Sequence, residues 1–105
     1  MFIRLCYIFL ILPVFSLASD EYFLVIKDHK FIPERLEIPA NIKFKLIVEN
    51  QDDQAEEFES FDLKREKIIP AKGKIKINIG PLDPGEYKIF GDFHSSSASG
   101  LIVVN

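Results

Sequence analysis

Residues 42–49 alternate strongly: Ile42, Phe44, Leu46 and Val48 are apolar on one face, and Lys43, Lys45 and Glu49 on the other are charged, with Ile47 the one exception. Successive side chains of an extended strand point to opposite faces, so this order fits a strand with one face in a core and the other in water. The same period returns in Ile75, Ile77 and Ile79 against Lys74, Lys76 and Asn78, and in Tyr87 and Ile89 against Glu86 and Lys88. Residues 22–28, 35–38, 57–62 and 100–104 are further strand candidates. Turn chemistry separates them: Pro33, Pro39-Ala40-Asn41, the polar stretch 50–54, residues 70–73, and Asp83-Pro84-Gly85. Proline pre-sets φ at such places and glycine supplies positive φ. The best helical stretch, residues 62–67, is too short to stand alone. The pattern predicts an all-β fold, a Greek-key β-sandwich of about seven to eight strands, with an open barrel as the alternative. Leu82 to Tyr87 reads either as a tyrosine corner, a Greek-key feature, or as an ordinary Pro-Gly turn before a tyrosine.

The start of the chain reads differently. Arg4 is followed by an apolar run from Leu5 to Phe15 and by small residues at Ser16 and Ala18, the layout of a secretory signal peptide over residues 1–18. The run falls short of the roughly 20 residues that span a bilayer, so no retained membrane anchor is expected and the domain is residues 19–105. The chain's single cysteine, Cys6, lies inside the leader, and lipoprotein processing there is not expected. Residues 19–105 therefore exclude disulfides, thiolate metal ligands and cysteine nucleophiles together. The net charge of −3 leaves no electrostatic footprint for nucleic acid.

Imidazole chemistry must pass through two histidines, His29 and His94. His94 lies in the loop Gly91 to Gly100, and Asp92 stands two residues before it. On extended backbone both would point the same way, offering a carboxylate and an imidazole to one ion; the alternative is a solvated loop histidine. In Glu56-Glu57-Phe58-Glu59-Ser60, Phe58 can anchor in the core while Glu57 and Glu59 project together from the other face. Like charges so placed repel unless a cation sits between them or Lys64, Arg65 and Lys67 neutralise them. Glu66 is a further possible oxygen donor. His29, beside Lys30, reads as structural or surface. No glycine-flanked serine elbow and no phosphate-binding glycine loop is present.

These segments, taken in order, resemble the cupredoxin family over nearly all of residues 19–105: Asn50 to Asp53, Glu56 to Ser60, Leu82 to Tyr87, and Gly91-x-x-His94 before Gly100 to Val104. The resemblance implies a cupredoxin-like sandwich. It puts the type 1 copper cysteine at Gly91, the second histidine at His94, the methionine near Ala98 and the earlier histidine within residues 56–59, so that only His94 survives. Without thiolate and thioether, a blue-copper electron carrier is not expected. The runs Glu57 to Lys67 and Phe90 to His94 resemble small periplasmic cupredoxin-like proteins of bacterial iron-uptake systems. That likeness implies a copper or iron ion bound in the periplasm, with a periplasmic iron-binding partner protein and an inner-membrane iron permease; the candidate ligands read from the residues are His94, Asp92, Glu57 and Glu59, with Glu66 as an outsider. A role in Fe(II) oxidation is left open, with an enzyme the lesser expectation. The alternative is a metal-free sandwich that docks a membrane or periplasmic partner, with residues 56–59 as a charged edge against strand addition.

Overall fold

The computed structural model describes residues 20–105, so the expected leader, its cleavage point and Cys6 lie outside the described residues. Among the described residues nine strands follow one another: β1 (Asp20–Lys27), β2 (Lys30–Ile32), β3 (Arg35–Ile38), β4 (Phe44–Asn50), β5 (Glu56–Ser60), β6 (Arg65–Ile69), β7 (Lys74–Ile79), β8 (Gly85–Gly91) and β9 (Ser99–Val104). A single 3-10 turn, Asp92–His94, joins β8 towards β9. No helix among the described residues is long and apolar enough to cross a membrane.

Two sheets face each other, one ordered β2-β1-β4-β7 and the other β3-β9-β8-β5-β6. The strands predicted from alternation are all present. The periodic residues Phe44, Leu46 and Val48 of β4 and Ile77 and Ile79 of β7 are buried between the sheets, and β4 lies antiparallel to β7 with Leu46 opposite Ile77. Two strands escape the sequence pattern. β2 has only three residues. β6, where the best helical stretch was placed, is an edge strand exposed along all but its last residue, so no buried face marks it in the sequence.

The sandwich closes through parallel pairs, β1 with β4 and β3 with β9, in which distant parts of the chain lie side by side. Tyr87 lies partly buried against the core, and its hydroxyl donates 2.7 Å to the Asp83 carbonyl, which makes the 82–87 segment a tyrosine corner. The core includes Leu24, Ile26, Phe58, Ile89 and Ile102, each almost wholly removed from water. Each such side chain contributes roughly 1.5–3 kcal/mol. Phe58 matters most for the site, because its burial fixes which way the neighbouring residues of β5 point.

Candidate metal centre

Period two divides β5 cleanly. Glu56, Phe58 and Ser60 are buried, while Glu57 and Glu59 stand half-buried on the outer face of the five-stranded sheet. β6 brings Glu66 opposite Glu59 and Ile68 opposite Glu57, and β8 brings Phe90 opposite Glu59. Asp92 follows at the end of β8, and one carboxylate oxygen from each of Glu57, Glu59 and Asp92 lies within 4.8 Å of the others. Of the basic residues that could have answered this charge, Arg65 turns elsewhere. Arg65 donates to the Leu63, Lys64 and Asn78 carbonyls. Among the described residues, the ion pairs join His29 to Asp52, Arg35 to Glu37, Lys72 to Asp53 and His94 to Glu56, and none involves the cluster.

The Glu57 carboxyl is held above its usual range by partial desolvation, then by the charges of Glu66, Glu59 and Asp92 and by a side-chain hydrogen bond with Glu66. Glu59 is raised for the same first reason, followed by the charges of Glu66 and Asp92. Carboxylates with raised pKa values and no cationic neighbour have their charge unanswered, the condition in which a divalent or trivalent ion binds oxygen donors favourably.

His94 goes the other way. Its Nδ1 lies 2.8 Å from Oε2 of Glu56 and its Nε2 lies 3.1 Å from Oε1 of Gln54. The expectation that Asp92 and His94 share a direction assumed extended backbone, whereas both lie in the 3-10 turn. With about three residues per turn, side chains two apart diverge by roughly 120°. Asp92 accordingly joins the outer carboxylates, and His94 turns to the buried Glu56. Of the five sequence-derived candidates, Glu57, Glu59 and Asp92 come together, Glu66 stands beside them, and His94 belongs to a separate group.

That second group includes His29, which the sequence reads as structural or surface, and residues such as Gln54 that the sequence pattern does not single out. His29 stacks on His94, with ring centroids 3.7 Å apart and planes 15° off parallel. His29 and Asp28 both hold positive φ, at 58° and 53°, a left-handed conformation uncommon for such residues. Asp52 secures it by accepting from both N–H groups at 2.8 and 2.9 Å. Although desolvation raises the Asp52 carboxyl, those two donors together with the charges of His29 and Lys72 outweigh it and the net shift is downward. Buried Asn50 closes the loop that carries Asp52 and Gln54: its amide donates to the Gln54, Ile69 and Pro70 carbonyls, and its oxygen accepts from the Asp52 N–H. Only the asparagine-containing turn was legible beforehand; the imidazole stack joins residues too distant in sequence to leave a local signal.

A type 1 copper site does not fit these residues. At Gly91, where the resemblance puts the cysteine, a β-carbon would lie 2.6 Å from Cδ of Glu56 and 2.9 Å from Cβ of Ala98, near which the resemblance puts the methionine. Among the described residues there is neither a cysteine nor a methionine, and the Glu56 carboxyl lies against Gly91.

Comparisons with known proteins agree with this architecture. A family model described as cupredoxin-like domain matches residues 2–104. An uncharacterized protein of Rickettsia prowazekii (strain Madrid E) is 45% identical over 113 residues, covering 98% of this chain and 90% of its own. Among solved structures, auracyanin A, a "blue" copper protein of Chloroflexus aurantiacus, superposes with a TM-score of 0.71 at 11% identity, covering 84% of this chain and 100% of its own. A methionine-to-alanine mutant of amicyanin in its Cu(I) form gives 0.66 at 12% identity, over 86% and 87% of the two chains. A purple cupredoxin of Nitrosopumilus maritimus gives 0.60 at 18% identity, over 79% and 98%. At such identities the structural likeness concerns the fold.

Proposed function

The chain belongs to the cupredoxin-like domain family, and from that premise we propose that it is a metal-binding accessory protein which holds its ion outside the sandwich rather than at a blue-copper centre. The observation that carries this reading is the set of Glu57, Glu59 and Asp92 oxygens within 4.8 Å of one another, without a basic partner. An all-oxygen donor set suits hard cations, Fe(III) among them, while Cu(II) outranks Fe(II) in raw affinity; the resemblance to iron-uptake proteins, not the donor set, favours iron over copper, with Glu66 able to complete the set from β6. Such a surface cluster binds and releases an ion and leaves coordination positions open, as a carrier needs.

The leader-like residues 1–18 support export, and the resemblance of residues 57–67 and 90–94 supports a place in the periplasm beside an iron-uptake system. The partners of such a system would be a periplasmic iron-binding protein and an inner-membrane iron permease. The test is calorimetric titration of the metal-free protein with Fe(II) under anaerobic conditions, with Mn(II), Mg(II) and Cu(II) as comparisons. Near-stoichiometric binding that weakens at least tenfold in Glu57→Gln/Glu59→Gln is expected. Absence of binding by every ion, or affinity indifferent to both substitutions, would end the proposal.

A second reading has its own observation. Ile68 is 54% exposed and Phe61 74% exposed. Phe61 packs edge-on against Phe90 at 5.3 Å, and Phe90 and Ile68 border the carboxylates. A metal-free interaction module would use this apolar rim for docking. Phe61→Ser would then abolish partner capture while leaving the titrations unchanged, the reverse of the carboxylate substitutions.

A further inference from the structure

Glycine at position 91 is not explained by its backbone. Its φ of −97° and ψ of 112° are ordinary extended values open to any residue. What forbids a side chain is space: a β-carbon would meet the Glu56 carboxyl carbon at 2.6 Å, its Oε2 at 2.7 Å and the Ala98 β-carbon at 2.9 Å. Glu56, only 1% exposed, is no loose side chain that could step aside. Its Oε1 accepts from the Glu57 N–H and from the Phe93 N–H, both at 2.8 Å, and its Oε2 lies 2.8 Å from His94 Nδ1, within hydrogen-bond distance. Both oxygens are engaged, by β5's own backbone and by the 3-10 turn.

We infer that Glu56 is a built-in plug: its carboxylate fills the interior position where a copper thiolate would sit, closes that pocket to metal, and latches the Asp92–His94 turn onto β5. Gly91 carries no side chain because the plug on one side and Ala98 on the other leave it no room. The latch has a consequence for the outer face. Phe93, held by Glu56, follows directly on Asp92, so the buried carboxylate positions the turn from which Asp92 reaches Glu57 and Glu59. This last step rests on the reading of the outer cluster as the ion site, whereas the plug stands without it.

A plug and a ligand predict opposite signs when Glu56 is shortened. We expect Cu(II) bound to the full-length wild-type protein to lack His94-dependent nitrogen hyperfine coupling in electron paramagnetic resonance. Glu56→Ala, which frees the imidazole and opens the pocket, is expected to gain that coupling together with at least tenfold tighter Cu(II) binding, both lost again on adding His94→Gln. Coupling present in the wild type and lost in Glu56→Ala would make Glu56 a ligand and overturn the inference. A folded Glu56→Ala protein that gains nothing would overturn it too. If Glu56→Ala does not fold, Gly91→Ala decides, because a methyl group there requires the plug to move. Amide exchange at Phe93 should quicken at least tenfold in that variant, and unchanged protection would refute the latch. The coupling gained in Glu56→Ala, its loss on adding His94→Gln and the exchange at Phe93 do not use ion binding by Glu57 and Glu59, so failure of the outer site, which would leave the wild type without bound Cu(II), leaves these three interpretable.

Discussion

Glu56 and Glu57 are neighbours on one strand, and they share nothing but chemistry. Glu56 is buried with both oxygens engaged by donors. Glu57 is half-exposed, and its neighbours are further carboxylates that push its pKa up. A carboxylate whose charge is answered by the fold becomes part of the structure. One whose charge is left unanswered becomes a place for something the fold does not supply. The strand's two-residue period makes the division, so a shift of a single position exchanges the roles.

Removing each side in turn tests the contrast. Glu56→Ala should cost about 3–5 kcal/mol in urea or guanidinium denaturation, because it strands two amide donors and an imidazole and opens a cavity. A cost under about 1 kcal/mol would erase the distinction between the two faces. Glu57→Gln/Glu59→Gln should do the opposite: hard-ion affinity falls at least tenfold by calorimetry, while the metal-free protein unfolds at the same or a higher denaturant concentration. Lower stability in that variant would mean the outer carboxylates are structural after all.

A distant reference sharpens the scale. Tyr87→Phe removes the hydroxyl bond to Asp83 at the far end of β8 and should cost about 1 kcal/mol with ion affinity unchanged, which separates ordinary hydrogen-bond loss from loss of the latch. Acidity produces the smallest effect, and its sign changes on the way down. Glu57 and Glu59 have folded pKa values above the ordinary 4.5, so their ionised forms weigh against folding at neutral pH. In the metal-free protein stability should therefore rise as pH falls through their raised values towards 4.5. Asp52 is shifted below its ordinary 3.8, so its contribution is present above that value and is lost as pH falls further, through its folded pKa. Denaturation midpoints followed from neutral pH downward should rise and then fall, and the rise should vanish in Glu57→Gln/Glu59→Gln. Ion binding should weaken over the same acid range, because protons compete for the ligand oxygens.

Much of this was legible in the residues, though unevenly. The alternation in residues 42–48 and 75–79 gave the central strands β4 and β7, because burial of one face leaves a period-two record. The apolar Phe58 between Glu57 and Glu59 likewise gave the split of β5. β6 left no such record, being exposed on both faces at the sheet edge. At the site, the convergence of Glu57, Glu59 and Asp92 was legible, and the company His94 keeps was not. An extended backbone was the natural expectation for Asp92 and His94, and a single 3-10 turn overrides it.

From the sequence alone follow an all-β sandwich and an outward pair of carboxylates on β5, since both depend on the steric alternation of a single extended segment. So does the absence of thiolate chemistry from residues 19–105, which is a matter of composition. Tertiary structure alone decided that Glu56 meets His94 across 38 residues and that His29 stacks on His94. It alone decided that Gly91 is glycine for want of room. Contacts of that kind arise when distant strands close on one another and compete for the same volume, a competition no local pattern records.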